Sequence, residues 1–257
     1  MATPTVPKLV LCELGETRVP GLESYSPFCL KANRALKYLG LPYERRHGIP
    51  SSFKKYHATG QVPVLLIGDT EAVGDSTDIL QRIQKLAGRT FHGTTDPKLA
   101  GEANLWEEFA DTSLCGFLVS ARWADERNWA RFRDAAFSSI PAPLRLLIGG
   151  QLRKRIVKGL VARDVWRAGP EVCWRRFQEL LDSLETRAPE EGFWLGTFSA
   201  ADLGLFSQLF SLRQDITPWQ RDQIAARPRL TRYLDRVDAA TRGPNTASAA
   251  QARTPVA

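Results

Sequence analysis

The sequence predicts a small α/β layer followed by an all-helical domain. Three observations carry this reading. Short apolar runs, KLVLCEL at 8–14 and VLLI at 64–67, have strand length and strand composition. Helix-start chemistry recurs along the chain at Ser26-Pro27, Asp75-Ser76, Asp96-Pro97, Pro170, Ser199 and Pro228. From residue 96 onward no stretch reads as a strand, and no internal repeat is present.

The first strand, Lys8–Leu14, leads into a loop containing Gly15, Pro20 and Gly21. Ser26 then has the chemistry of a helix cap, and Pro27 suits the first helical position. Phe28, Ala32, Ala35, Leu36 and Leu39 form one apolar stripe, which Lys31, Arg34 and Lys37 fall off. Gly40 offers a left-handed cap and Pro42 a stop. Tyr43–Arg46 is a weak strand candidate, and 49–58 is irregular with a short helix near Phe53. In Gly60–Ile67, Pro63 cannot donate to a ladder and therefore begins a strand. Gly68-Asp69 turns the chain into a second strand at Glu71–Gly74, and Asp75-Ser76 opens a helix that Gly88 ends. Two helix N-termini, at Ser26 and Ser76, are thus available to the Val62-Pro63 turn, and unpaired N–H groups there favour an anion.

Residues 89–95 read as a linker. The next helix carries Leu99, Ala103, Trp106, Ala110, Ser113, Leu114 and Phe117, a long amphipathic pattern. Residues 127–150 are broken by Pro141, Pro143 and Gly149-Gly150, with apolar Leu144–Ile148 between them, before a basic helix at 151–163. A helix begins at Pro170, Phe193–Gly196 is an aromatic turn, and Ser199 with Asp202 fits a capping box ahead of Leu203–Leu212. Pro228–Ala240 is a final amphipathic helix, and 241–257 has the small, polar composition of a disordered tail. The domains expected are 1–88, the linker 89–95, and 96–240.

Composition narrows the function. At 257 residues and 43% hydrophobic content the chain suits a globular protein with a sizeable core. It has no signal-peptide pattern, and its apolar runs are too short to span a bilayer. The cysteines at 12, 29, 115 and 173 lack metal-type spacing, so reduced thiols and a cytoplasmic location are expected. His47, His57 and His92 are scattered, and no metal site is expected. The net charge is +7, and residues 122–176 hold 13 Lys/Arg against 5 Asp/Glu. Anionic substrates, acidic lipids or nucleic acid are the partner classes for such an excess, against the plain alternative of a solvated helical surface. No nucleic-acid motif accompanies the charge, and charge alone is not expected to give stable membrane binding.

The stretches SPFCLKANRALKYLGLPYE at 26–44, GQVPVL at 60–65, DSTDI at 75–79 and FSAADLGLF at 198–206, in this order, resemble the glutathione transferase superfamily. The loop before SPFC, the Asp-Ser pair and the basic segment SIPAPLRLLIGGQLRKRIVKGL are similar to the metaxin and failed-axon-connections branch. The resemblance implies a thioredoxin-like N-terminal domain, an all-α C-terminal domain and a homodimer. It implies that Ser26 donates to the sulfur of glutathione, the co-substrate. Val62, before a cis Pro63, would pair with the cysteinyl unit. Asp75 and Ser76 would hold the γ-glutamyl group, and Gln61, with Lys54 or Lys55, the glycyl end. A small electrophile would sit between the domains near Phe28, Phe117, Arg122 and Trp123. Cysteine-type relatives carry Cys at the position of Ser26, so thiol transfer is disfavoured, and Cys29 is assigned to the core. Ser199 and Asp202 match a structural folding box, worth about 1–2 kcal/mol as a cap. The implied activity is glutathione-dependent transfer to an electrophile in detoxification, with isomerisation or reductive cleavage as variants. The competing reading is a non-catalytic transferase-fold module acting at a membrane or on an acidic partner.

Overall fold

A computed structural model describes residues 7–91 and 96–243. Four strands form one mixed sheet in the order β2-β1-β3-β4: β1 (Leu9–Leu14), β2 (Glu44–Gly48), β3 (Val64–Ile67) and β4 (Glu71–Gly74). β1 pairs parallel with β2 and antiparallel with β3, setting Cys12 opposite Val64. Strand alternation divides β1 between two cores. Leu9 and Leu11 join the main core, whereas Cys12 packs with Phe53 and Val64 on the opposite face. The edge strand β2, ERRHG, is charged and largely exposed, a composition that discourages edge-to-edge pairing.

Helices α1 (Pro27–Leu39) and α2 (Ser76–Ala87) start where the sequence places them. Ser26 Oγ accepts from Cys29 N at 3.3 Å, and Asp75 Oδ1 from Thr77 N at 2.8 Å. Gly40 and Gly88 close the two helices at φ 70° and 65°.

The helical part comprises α3 (Pro97–Phe109), α4 (Cys115–Val119), α5 (Glu126–Ala136), α6 (Ala142–Arg163), α7 (Pro170–Arg187), α8 (Ala200–Leu212), α9 (Pro218–Ala225) and α10 (Pro228–Thr241). Two π-helical segments, Ala110–Leu114 and Ser120–Ala124, flank α4. The expected disordered tail lies, from residue 244 on, outside the described residues, as do linker residues 92–95. Helix α9 has no counterpart in the sequence reading. Nor do Gly149 and Gly150 break the chain, because α6 runs through both. A Cβ on Gly149 would meet Arg133 Cγ at 3.3 Å and Trp129 at 3.6 Å, so glycine lets α6 approach α5 closely. Packing there outweighs the roughly 1 kcal/mol of lost helix propensity.

Helix α8 is buried along its whole length. Its capping box is more than a cap. Asp202 accepts from Ser199 N and Trp194 N at 2.8 Å each and from the Tyr233 hydroxyl at 2.7 Å. Burial pushes the Asp202 carboxyl up, against the pull of these donors. Three donors would be orphaned without it, a cost above the 1–2 kcal/mol of a simple cap.

The two layers meet along α1. Lys31 and Arg34, off the apolar stripe, are fully buried by the second domain. Lys31 Nζ donates to Glu107 Oε1 at 2.8 Å and to Asp111 Oδ2. The same Glu107 oxygen accepts from Thr77 Oγ1 at 2.9 Å, which ties α2 into the cluster. Arg34 reaches Glu23 at 2.9 Å and Asp238 at 2.8 Å, with its guanidinium 5.2 Å from the Phe206 ring centroid. Burial alone would drive the Lys31 amine down, but Asp111 and Glu107 outweigh it and hold it above its ordinary value.

Breaking this cluster should cost more than losing an exposed ion pair. Lys31→Met leaves two buried carboxylates without a counter-charge, and urea denaturation should register a loss of about 3–5 kcal/mol. Adding Glu107→Gln and Asp111→Asn should recover most of it. Unchanged stability in Lys31→Met would show that the cluster does not hold the domains together.

Candidate active site

The two helix N-termini and the Val62-Pro63 turn converge. The Val62-Pro63 bond is cis, and β3 starts directly after it. A cleft of about 220 Å³ is lined there by Gln61, Val62, Pro63, Asp75 and Ser76, with Phe28 from the first turn of α1. Val62 pairs with no strand of the sheet, so its backbone is available to a ligand.

Asp75 carries the only positive φ (71°) at a non-glycine residue among the described residues. This conformation is uncommon for a residue with a Cβ, and Asp and Asn are enriched among the residues that adopt it. It sets the exposed Asp75 carboxylate beside the cleft, while Ser76 is almost wholly buried at the start of α2. An acceptor and a helix N-terminus side by side suit a zwitterion, with the ammonium on Asp75 and the carboxylate on the N–H groups.

Two lining residues, His57 and Thr59, escaped the sequence reading. His57 Nδ1 lies 2.9 Å from Thr59 Oγ1, which also accepts from Gln61 N at 3.2 Å, so this pair shapes the loop into the cleft. The ring of His57 lies directly over Gly74: a Cβ there would be 2.3 Å from Cδ2, so only glycine leaves it room. The glycine that ends β4 is the one sequence signal of this neighbour, and it went unread. Lys54 and Lys55 line no part of this cleft. The Lys54 stem lies against Gly60, and Lys55 Nζ sits 4.8 Å from the Tyr56 ring centroid.

Ser26 caps α1 two residues before Phe28 and is half-buried. It is not among the residues lining the cleft. Its oxygen accepts from Cys29 N, which leaves the hydroxyl proton for another acceptor. Cys29 is fully buried, and burial pushes its thiol up to about 12 despite a hydrogen bond with Ser26. It is therefore not a source of thiolate at neutral pH.

The residues expected around an electrophile are packed elsewhere. Phe117 is buried against Phe177, with ring centroids 5.3 Å apart. Trp123 packs on Trp129 and Phe132. Arg122 is buried, donating to the carbonyls of Tyr25 and of Ser211 (3.1 Å), and burial lowers its guanidinium to about 10. Their neighbours on the same helical stretch, Asp111, Cys115, Gly116 and Val119, line a second cleft of about 560 Å³ with Asp164, Arg167 and Arg176. Each π segment inserts a residue and turns the face that follows. The apolar stripe that joins Phe117 to Ala110 and Leu114 puts it on the buried side, as found; the pocket around Phe117, Arg122 and Trp123 was implied by the resemblance alone, and packing fills their positions. Arg122 has a different task, holding the backbone at Tyr25, next to Ser26.

Similarity to known proteins agrees with this architecture. Residues 25–86 match the glutathione S-transferase N-terminal domain, and residues 128–236 the glutathione S-transferase C-terminal domain. The chain is 21% identical over 221 residues to the isoprene-epoxide–glutathione S-transferase of Rhodococcus sp. strain AD45, covering 84% of this chain and 93% of that one. In fold it is similar to the beta-etherase LigF from Sphingobium sp. strain SYK-6, with a TM-score of 0.63 at 21% identity over 91% and 97% of the two chains. A Pseudomonas fluorescens transferase family member, crystallised with two glutathione molecules, aligns at TM-score 0.58 and 16% identity over 92% and 91%. A thioredoxin-like layer with a cis Val62-Pro63 turn, a helical second domain and both domain matches lead to one conclusion: the chain belongs to the glutathione S-transferase superfamily.

Proposed function

We propose that this protein is a serine-type glutathione transferase that activates the glutathione thiol for attack on a small electrophile. The observation that carries the reading is the convergence of Val62-Pro63, Asp75-Ser76 and the N-terminal turn of α1 on one cleft. In this reading the γ-glutamyl carboxylate meets the first turn of α2, and Asp75 takes the ammonium. The cysteinyl unit pairs with the Val62 backbone. Gln61 and His57 serve the glycyl end, where the sequence alone offered Lys54 and Lys55. The sulfur then points toward the start of α1 and Ser26.

A free thiol titrates near pH ~8.5, so little thiolate exists at neutral pH. Lowering that value by ~2 units needs roughly 2.7 kcal/mol of preferential thiolate stabilisation. A hydrogen bond to a charged acceptor contributes about 1.5–3 kcal/mol, and the helix end adds positive potential. The Ser26 hydroxyl with the α1 N-terminus is therefore sufficient. Arg122 acts as a positioning residue through the Tyr25 carbonyl. The larger cleft beside Asp111 and Cys115 is the seat for the electrophile. Its lining residue Asp111 is bonded to Lys31, whose amine lies 6.0 Å from the ring centroid of Phe28, which lines the first cleft. The relatives matched are named as glutathione transferases and a beta-etherase, which favours an enzyme over the non-catalytic, metaxin-type module.

Ser26→Ala should bind glutathione nearly as well as the wild type. It should raise the pKa of the bound thiol and slow turnover. Thiolate absorbance of the bound ligand, followed against pH in both proteins, reads this directly, and superimposable curves would remove Ser26 as the activating group.

Asp75→Asn keeps a side chain that tolerates positive φ and still accepts from Thr77 N. It should leave the melting temperature essentially unchanged and weaken glutathione binding about tenfold, as expected for losing a charged hydrogen-bond partner. Undiminished affinity would mean that the ammonium binds elsewhere.

A further inference from the structure

Eight large hydrophobic side chains are conspicuously exposed among the described residues, and six of them belong to α6: Leu144, Leu146, Leu147, Ile148, Leu152 and Val161. Each is 37–58% exposed. The same helix, residues 142–163, contains six Lys/Arg and no Asp or Glu. It lies within the basic segment 122–176, and none of its own charged residues lines either cleft.

Five of these charges, all but Arg163, divide into two sets. Arg153 faces the protein, donating to the Trp123 carbonyl at 2.7 Å and pairing with Glu126 at 2.7 Å. Arg145 is likewise engaged, with the Ile140 carbonyl at 3.0 Å. Lys154, Arg155 and Lys158 are exposed and take part in none of the ion pairs formed among the described residues. Helical spacing joins them to the apolar set. Leu144, Leu147 and Ile148 occupy positions i, i+3 and i+4 of one face, and Arg155 and Lys158 continue it at i+11 and i+14. The outer face of α6 is thus apolar for its first two turns and cationic for the turns that follow.

We infer that α6 docks this protein on an anionic lipid surface, with the N-terminal apolar turns at the acyl boundary and Lys154, Arg155 and Lys158 on lipid phosphates. An apolar face joined to unpaired cations is what separates interfacial helices from ordinary solvated ones. The basic charge alone lacks the first half of that combination, which is why the sequence reading anticipated no stable binding. The apolar half becomes visible only once packing shows which leucines stay outside. A second copy of the chain fits this face poorly, because two apposed α6 helices would bring twelve cations together with no carboxylate from either helix. Attachment is peripheral, since no helix among the described residues is long and apolar enough to cross a membrane. Docking on α6 leaves the glutathione cleft untouched, because no α6 residue lines it.

The test is co-sedimentation of the full chain with phosphatidylcholine–phosphatidylglycerol vesicles and with pure phosphatidylcholine vesicles, at low and at moderate salt. Binding should be confined to the anionic vesicles and should weaken as salt rises. Each charge removed in Lys154→Gln, Arg155→Gln and Lys158→Gln should weaken it about fivefold. Leu144→Ser with Leu147→Ser should abolish it, with an unchanged melting temperature and unchanged glutathione affinity as controls for folding. Absence of binding to anionic vesicles at low salt would overturn the inference, as would binding that the leucine variants retain. A dimer that dissociates in the leucine variants would overturn it equally, by showing that a second copy covers the face.

Discussion

A lysine with no exposed surface needs counter-charges supplied by the fold. Lys31 draws its two from the other domain, Glu107 on α3 and Asp111 in the π segment that follows. Because Glu107 also accepts from Thr77 at the start of α2, one buried cluster sets α1, α2 and α3 relative to one another. The ends of α1 and α2 line the cleft proposed for glutathione, and the helical stretch that continues α3 lines the second one. Arg34 repeats the arrangement from α1 to Asp238 on α10, whereas Arg122, in no ion pair among the described residues, ties the second domain through carbonyl bonds to the loop before Ser26. Three buried cations across a single boundary make the spacing of the two clefts a property of the fold rather than of loop conformation. Buried ions are costly unless fully paired, so the arrangement trades stability for a fixed geometry between domains.

Much of the first domain was legible because its signals are local. Ser26-Pro27, Gly40, Asp75-Ser76 and Gly88 each act within one turn of themselves, and their chemistry is the same in a peptide as in the fold. The box of Ser199 and Asp202 was equally legible, although its full role was not. Asp202 also anchors Trp194 and Tyr233, whose donors arrive from other parts of the chain. The features that escaped all depend on distant partners. Lys31 and Arg34 fall off the apolar stripe and yet face a second domain rather than water. Gly149-Gly150 read as a break because the packing of Trp129 and Arg133 against α6 cannot be seen from propensity. Phe117 lies in the core, as its apolar stripe predicts, and Arg122 is likewise buried, so the pocket that the resemblance implied around them is filled by packing.

The two sides of the candidate site differ in the same way. The side proposed for glutathione is built from helix caps and a proline turn, so Val62, Pro63, Asp75 and Ser76 stand out in the sequence, and the structure brings them to one cleft. His57 joins them through Gly74, whose missing side chain makes room for the imidazole, and Thr59 through its bond with His57. The side proposed for the electrophile is built from helical surface, where identity follows packing. Asp111, Cys115 and Arg176 therefore had no sequence signature of their own. A fold shared by many chemistries places its specificity in such surfaces. The exposed leucines of α6 belong to the same class of feature, since apolar residues in a helix signal nothing until their neighbours are known.

The central claim is that the cleft between Val62-Pro63 and Asp75-Ser76 holds glutathione by its γ-glutamyl end. Calorimetric titration of the full chain with glutathione and, separately, with cysteinylglycine tests this most directly, because the dipeptide lacks that end alone. The account requires one glutathione per chain and at least about tenfold weaker binding of cysteinylglycine, a difference of roughly 1.4 kcal/mol. Equal affinities, or no binding of glutathione at all, would contradict it.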